Sequence, residues 1–391
     1  MPHLITPADR TAFQRCHRQW DFGASGRRNL EPVDPPRAPD LGRALREALD
    51  IYYFPGMWDW QRQVTLPLVR QGFQRALAGQ RERACGAGGD ETWQPPLEAG
   101  QRLLERYFGW APGVDRFSPV QVEAEYDVTL LDPAHPGRGL LTPGGEAIRY
   151  RGRIGMLAVD ANDAYWIVTH RLVGGDWPPT GELAADEEGV AACWAWEQFY
   201  LGMAITGTIY NEVRAEVPGQ PDAPAGPHRP AGARAGLGRW WPSRRRGRPR
   251  RVGQHEPSGG GRSIPQHRRM YAVAREPDEF ERIEQQATPQ FRRTWVRRSP
   301  AEVTEAGRLL AEAAARMTAA GADADPAPSP AICPFCAYLA PCQAMMADRD
   351  AGPLLRTGYR ERAIEKLDEG RLGGGAWSTG RGAAPPRFRS S

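Results

Sequence analysis

The chain has 391 residues and a formal net charge of +4, and 40% of its residues are hydrophobic, which suits one large domain or two ordinary ones. Its first residues, MPHLITPADR, lack the apolar core of a secretion signal, and no apolar run is long enough to span a membrane. We therefore expect a cytoplasmic protein with no membrane partner. Thiols stay reduced in that compartment, so closely spaced cysteines bind metal more often than they form disulfides.

Hydrophobic periodicity predicts an α/β protein, with helices in the first third and strands in the middle. The predicted helices cover residues 7–22, 42–53, 66–84, 97–108, 187–205, 278–290 and 300–318. The predicted strands cover residues 120–131, 147–159, 164–172 and 208–217.

Shifts in composition divide the chain into five segments. They are an N-terminal helical region (1–112), a core (113–217), a basic insert (218–265), C-terminal helices with a cysteine cluster (266–347) and a flexible tail (348–391). The insert carries many arginines among Pro and Gly against very few acids. Such a composition cannot bury a core, so we expect the insert to be disordered.

Three of the six cysteines form a C-x2-C-x5-C motif: Cys333, Cys336 and Cys342. One metal centre could bind all three, but zinc and iron–sulfur centres usually take four ligands. Cys193 lies on an apolar helix face, a position typical of a packed thiol, whereas Cys16 lies among aromatic residues and is the candidate fourth ligand. In the alternative interpretation, Cys16 is a core residue and the trio binds zinc alone.

The cysteine pattern resembles one in the PD-(D/E)XK nuclease superfamily. An early cysteine with an aromatic residue (C-H-R-Q-W) and a distant C-x2-C-x5-C are similar to its RecB-like and CRISPR-associated iron–sulfur exonuclease branch. The likeness covers residues 10–215 and 266–345. It implies a restriction-endonuclease-like core, which is a mixed central sheet flanked by helices, and a C-terminal four-cysteine region. It also implies that a 4Fe–4S cluster binds Cys16, Cys333, Cys336 and Cys342 and staples the chain ends together.

The resemblance further implies a magnesium site, with a histidine on a helix, an aspartate on one strand and an acid and a lysine on the next. Two carboxylates would hold Mg²⁺, which activates water against a phosphodiester. Every one of these positions is altered in this chain: Arg46, Gly155, Thr169 and Arg171 stand there instead. The sequence therefore predicts a degenerate site, in which Mg²⁺ would bind only if other acids had replaced the lost ones. The candidate substitutes are Glu123, Glu125 and Asp160. Because side chains alternate along a strand, we expect His170 to pack against a helix.

Three functions remain open at this point. The favoured one is a DNA-processing protein of the nuclease family, impaired in catalysis, that binds single-stranded DNA, duplex ends, or a helicase or nuclease partner. Arginines of the insert would add a salt-sensitive contact with phosphates: Arg244, Arg245, Arg246, Arg248, Arg250 and Arg251. The alternatives are an active Mg²⁺-dependent exonuclease or endonuclease with relocated carboxylates, and a zinc-stabilised interaction protein.

Overall fold

The computed structural model describes residues 2–33, 39–84, 90–135, 137–215, 283–320 and 325–362. The predicted basic insert (218–265), with the six arginines assigned to phosphate contacts, lies outside these residues. Most of the predicted tail lies outside them too. None of the described helices combines the length and the apolar character that crossing a membrane requires.

The chain forms two compact units. One contains Met1–Pro36, Thr129–Arg151 and Ala311–Ser391, so it includes residues from both ends of the sequence. The other contains Arg37–Val128 and Gly152–Leu310. The four cysteines of the predicted cluster all belong to the first unit, and the predicted catalytic positions all belong to the second.

Ten helices are present in the described residues, and the first five lie in the N-terminal third, as predicted. They are α1 (Pro7–Arg15), α2 (His17–Gly23), α3 (Leu41–Tyr52), α4 (Arg62–Arg83), α5 (Asp90–Trp110), α6 (Thr180–Ala184), α7 (Glu187–Phe199), α8 (Pro300–Ala319), α9 (Leu339–Met346) and α10 (Gly352–Gly358). The strands are β1 (His3–Ile5), β2 (Leu30–Pro32), β3 (Phe117–Thr129), β4 (Ile148–Asp160), β5 (Tyr165–Val173), β6 (Ile205–Arg214), β7 (Ile283–Ala287), β8 (Phe291–Arg297) and β9 (Tyr359–Glu361).

Seven of the described strands form one mixed sheet. Their order is β1-β4-β5-β6-β8-β7, and β3 also pairs with β4. The β1·β4 and β5·β6 pairs are parallel, whereas β4·β5, β6·β8 and β7·β8 are antiparallel. The prediction of an α/β protein with a mixed sheet is confirmed.

Helices cover both faces of the sheet in the second unit. Ile209 of β6 belongs to an apolar cluster with Leu49 of α3 and Phe73 of α4. Its neighbour Thr208 points to the opposite face, since side chains alternate along a strand, and lies 3.6 Å from the sulfur of Cys193 on α7. Cys193 is fully buried, so the prediction that it is a packed thiol is confirmed.

Two helix predictions need correction. The helix predicted at 278–290 is wrong over Ile283–Ala287, which form β7 and pair with β8, because tertiary pairing overrides the local propensity of a short polar segment. The helix predicted to reach residue 205 ends at Phe199, and Gly202 then turns the chain with a φ of +93°. Glycine reaches this left-handed conformation without steric cost.

The first unit also departs from prediction at both ends of the chain. The single helix predicted over 7–22 is two helices, which break at Cys16 where the backbone is extended. Residues placed in a flexible tail from 348 onward instead form α10 and β9, and β9 pairs in antiparallel register with β2. A composition-based argument missed this strand because its partner is more than 300 residues away in the sequence.

Candidate functional site

The four predicted cluster cysteines lie around one cavity. They are Cys16, Cys333, Cys336 and Cys342, and each is a free, half-buried thiol. The cavity has a volume of about 180 Å³. Cys16 reaches it from the break between α1 and α2, Cys333 and Cys336 from a single 3-10 turn, and Cys342 from α9. The structure therefore brings together the four residues that the sequence argument grouped.

Each of the four sulfurs accepts a hydrogen bond. The backbone N–H of Ala327 donates to the sulfur of Cys16 at 3.4 Å, and that of Ser329 donates to the sulfur of Cys333 at 3.2 Å. The backbone N–H of Tyr338 donates to Cys336, and the side chain of Arg18 donates to Cys342. Donors to sulfur stabilise thiolate ligands and tune the inorganic centres that they hold.

Burial opposes the ionisation of these thiols. It raises the pKa of both Cys336 and Cys342, and the neighbouring cysteines raise the pKa of each further by electrostatic repulsion. A cationic centre in the cavity would offset both effects, because thiolates are the form that binds metals. No three or more Cys, His, Asp or Glu side chains in the described ranges are placed to hold a single metal ion.

A pair of tyrosines connects the cysteine cavity to the last described strand. Tyr338 follows two residues after Cys336, and its hydroxyl donates to the carbonyl of Leu30 at 2.6 Å. Its ring stacks on Tyr359 of β9 with centroids 5.5 Å apart. The Tyr359 hydroxyl in turn donates to the carbonyl of Ala337 at 2.6 Å. The β2·β9 ribbon is thus fastened to the turn that carries the cysteines.

The positions where the resemblance expects carboxylates lie side by side on β4 and β5. Met156 pairs with Val168, so the antiparallel register carries Gly155 next to Thr169. Neither side chain can bind Mg²⁺ as a carboxylate does. Arg171, at the expected lysine position, donates to Asp186 at 2.5 Å and lies 4.5 Å above the ring of Tyr210. At the expected lysine position the described structure therefore has an arginine that is paired with a carboxylate.

The three candidate substitute acids have other partners. Arg153 donates to Glu123 at 2.6 Å and to Glu125 at 2.8 Å, and these are exposed ion pairs. Asp160 accepts hydrogen bonds from the backbone of Asn162 and from the indole of Trp166. Nothing in this geometry assembles a relocated magnesium site.

Helix α3 places Arg46 beside His170. Arg46 is exposed, whereas His170 is buried, and both line one small cavity. The His170 ring stacks on Tyr53, the C-terminal cap of α3, with centroids 5.5 Å apart, and lines the same cavity as Leu45 and Leu49 of that helix. The prediction that His170 packs against a helix is confirmed.

The centre of the second unit is a polar network that the sequence analysis did not predict. Arg293 is fully buried and donates to the carboxylate of Asp115 and to the hydroxyls of Tyr53 and Tyr107. It also donates to Asn211 at 3.0 Å. In a sequence with so many arginines nothing distinguishes this one, because arginine side chains are mostly exposed. Only its place between Phe291 and Trp295 on the same apolar face of β8 marks it as a buried residue.

Comparison with known proteins adds no assignment to this geometry. No protein-family model matches the chain, and no curated protein matches it in sequence. Two features of the chain itself therefore bear on its function: the cysteine cavity of the first unit, and the altered positions on β4 and β5 in the second.

Proposed function

We propose that this protein is a degenerate member of the PD-(D/E)XK nuclease superfamily that carries a 4Fe–4S cluster on Cys16, Cys333, Cys336 and Cys342. It acts by binding DNA, or a helicase or nuclease partner, rather than by cutting phosphodiesters. The cluster fastens segments from both ends of the chain into one unit, and its binding energy contributes to folding.

The observation that carries the proposal is the common cavity of four free thiols, each with its own hydrogen-bond donor. Four thiolates can hold either zinc or an iron–sulfur cluster. The preference for a 4Fe–4S cluster comes from the family resemblance of the cysteine pattern.

The residues at the expected catalytic positions on β4 and β5 are the reason to expect no phosphodiester cleavage. Gly155 and Thr169 supply no charge for Mg²⁺, and the cation of Arg171 is already paired with Asp186. Two-carboxylate magnesium chemistry needs hard oxygen ligands at these positions. The two carboxylates Glu123 and Glu125 are held by Arg153, which counts against the active-nuclease alternative.

Metal analysis of anaerobically purified protein tests the cluster. We expect four iron and four sulfide per chain with the visible absorbance of an iron–sulfur protein. Cys16→Ser should lose the iron, whereas Cys193→Ser, which changes a buried cysteine of the other unit, should keep it. One zinc per chain with no iron, or full iron retention in Cys16→Ser, would contradict the proposal.

Binding and cleavage assays on the same preparation test whether the protein binds DNA without cutting it. Fluorescently labelled single-stranded and duplex DNA should bind with an affinity that falls as salt rises, because cationic contacts release counterions. No cleavage should appear on adding Mg²⁺ in place of EDTA. Mg²⁺-dependent turnover that is lost in Glu125→Ala would establish the active alternative instead.

A further inference from the structure

The hydrogen bonds around His170 determine which ring nitrogen carries its proton. Arg293 can only donate, and it donates to Asn211 Oδ1 at 3.0 Å, which fixes the orientation of the Asn211 amide. Asn211 Nδ2 therefore faces His170 Nδ1, at 2.8 Å, and is the donor. Nδ1 must be the acceptor, so the proton of the neutral ring is on Nε2.

His170 stays neutral in the folded protein. Its side chain is buried, and that burial, with the nearby charges of Arg293 and Arg46, lowers its pKa to about 3. The Nε2–H group is consequently a permanent donor at physiological pH. It has no acceptor among the residues that the structure describes, and a buried donor without a partner is costly.

A small cavity beside His170 could hold an acceptor for this Nε2–H group. His170 lines a cavity of about 10 Å³ together with Gly42, Leu45 and Arg46 of α3. This volume has room for roughly one oxygen atom the size of a water molecule. Arg46 adds a second hydrogen-bond donor to the lining of this cavity, since a guanidinium donates hydrogen bonds and cannot accept them. Asp50, one turn further along α3, has its pKa raised to about 8 by burial and by Glu123 and Glu47, so it adds little negative charge at neutral pH.

We propose that His170 and Arg46 bind one non-bridging oxygen of a phosphoryl group, as found in a nucleic-acid backbone. An anionic oxygen accepts from both donors and satisfies the buried one. The identity of the ligand as nucleic acid rests on the proposed function, whereas the site itself rests on the two donors and their cavity. The phosphate contact thus involves the pair Arg46 and His170, since Arg171 is occupied by Asp186.

Titration of the full chain with inorganic phosphate tests the site. In protein labelled with ¹⁵N-histidine, the Nε2 resonance of His170 should shift and saturate, and phosphate should raise the melting temperature. Arg46→Met should weaken phosphate binding roughly tenfold, since a charge-assisted bond to an anion is lost. Arg43→Met is the matched control, because Arg43 is an exposed arginine of the same helix that pairs with Glu47 at 3.1 Å, and it should bind as the wild type does.

A histidine resonance that does not respond, or equal binding by Arg46→Met and the wild type, would mean that the cavity holds a water only and would overturn the site. A labelled oligonucleotide separates this failure from failure of the proposed function. If phosphate saturates the site but DNA does not compete for it, the site stands and the DNA function fails. If DNA binds and leaves His170 unchanged, the site fails and the function stands.

Discussion

Arg171 and Asp186 form an ion pair whose Nη2–Oδ2 distance is 2.5 Å, and the guanidinium lies over the ring of Tyr210. Tyr210 also donates to the same carboxylate oxygen at 2.8 Å. The strand position at which the resemblance expects a catalytic lysine therefore connects β5 and β6 to the start of α7. The Arg171–Asp186 pair therefore has a structural role in the fold.

Removing Asp186 should destabilise the protein. Asp186→Ala leaves a partly buried arginine and a buried tyrosine hydroxyl without their acceptor, which we expect to lower the free energy of unfolding by about 1–3 kcal/mol. Urea denaturation measures this loss. Glu305→Ala is the control, since Glu305 forms an exposed pair with Arg308 that contributes about 0–1 kcal/mol. Equal losses in the two variants would show that the Arg171 pair has no structural role.

The sequence predicted the elements whose signal is local and missed those that depend on distant partners. Periodicity placed α3, β4 and β5 almost at their observed bounds, and the cysteine spacing marked Cys333–Cys342. Strand β9 and the buried Arg293 were missed, because their partners lie far away along the chain and their residue types usually face solvent. Cys16 was reached by elimination among the remaining cysteines and then by the resemblance, since nothing near it in sequence indicates a ligand.

Loss of the proposed iron–sulfur cluster should loosen the β2·β9 ribbon. The Tyr359 hydroxyl bonds to Ala337, the residue after Cys336, so a disordered cysteine turn would release β9. In Cys333→Ser we expect faster hydrogen exchange at the amide of Arg362, which donates to Asn29 at 2.8 Å in the intact ribbon. Mass spectrometry of exchange measures this. Cys193→Ser should leave the rate unchanged, and unchanged exchange in a Cys333→Ser protein that has lost its iron would disprove the coupling.

Asp50 should make stability depend on pH. Burial, with repulsion from Glu123 and Glu47, raises its pKa from 3.8 to about 8. A folded-state pKa above the unfolded value means that the native state holds the extra proton between these pH values. The contribution of Asp50 to stability is therefore full below pH 3.8 and declines as pH rises towards about 8.

Replacing Asp50 with a neutral isostere should flatten this dependence. Between pH 5 and pH 8, the free energy of unfolding of Asp50→Asn should fall less than that of the wild type, and the variant should be the more stable protein at pH 8. Urea titrations across this range measure it. Asp59→Asn, which changes an exposed aspartate of the same unit, should keep the wild-type slope. A wild-type slope in Asp50→Asn would rule out Asp50 as its source.

Placing carboxylates at Gly155 and Thr169, where the resemblance expects them, should create a magnesium response. The register places Gly155 beside Thr169, and a Cβ at Gly155 would lie 3.0 Å from the carbonyl of Val168, a tight contact that a small strand shift can relieve. In Gly155→Asp/Thr169→Glu, Mg²⁺ at about ten times its Kd should stabilise the fold by about 1.4 kcal/mol, while the wild type should show no such effect. Thermal melts with and without Mg²⁺ measure the difference. The isosteric pair Gly155→Asn/Thr169→Gln carries no charge, so it should behave as the wild type does. A magnesium response in that neutral pair, or none in the acidic one, would mean that these strand positions do not mark a lost metal site.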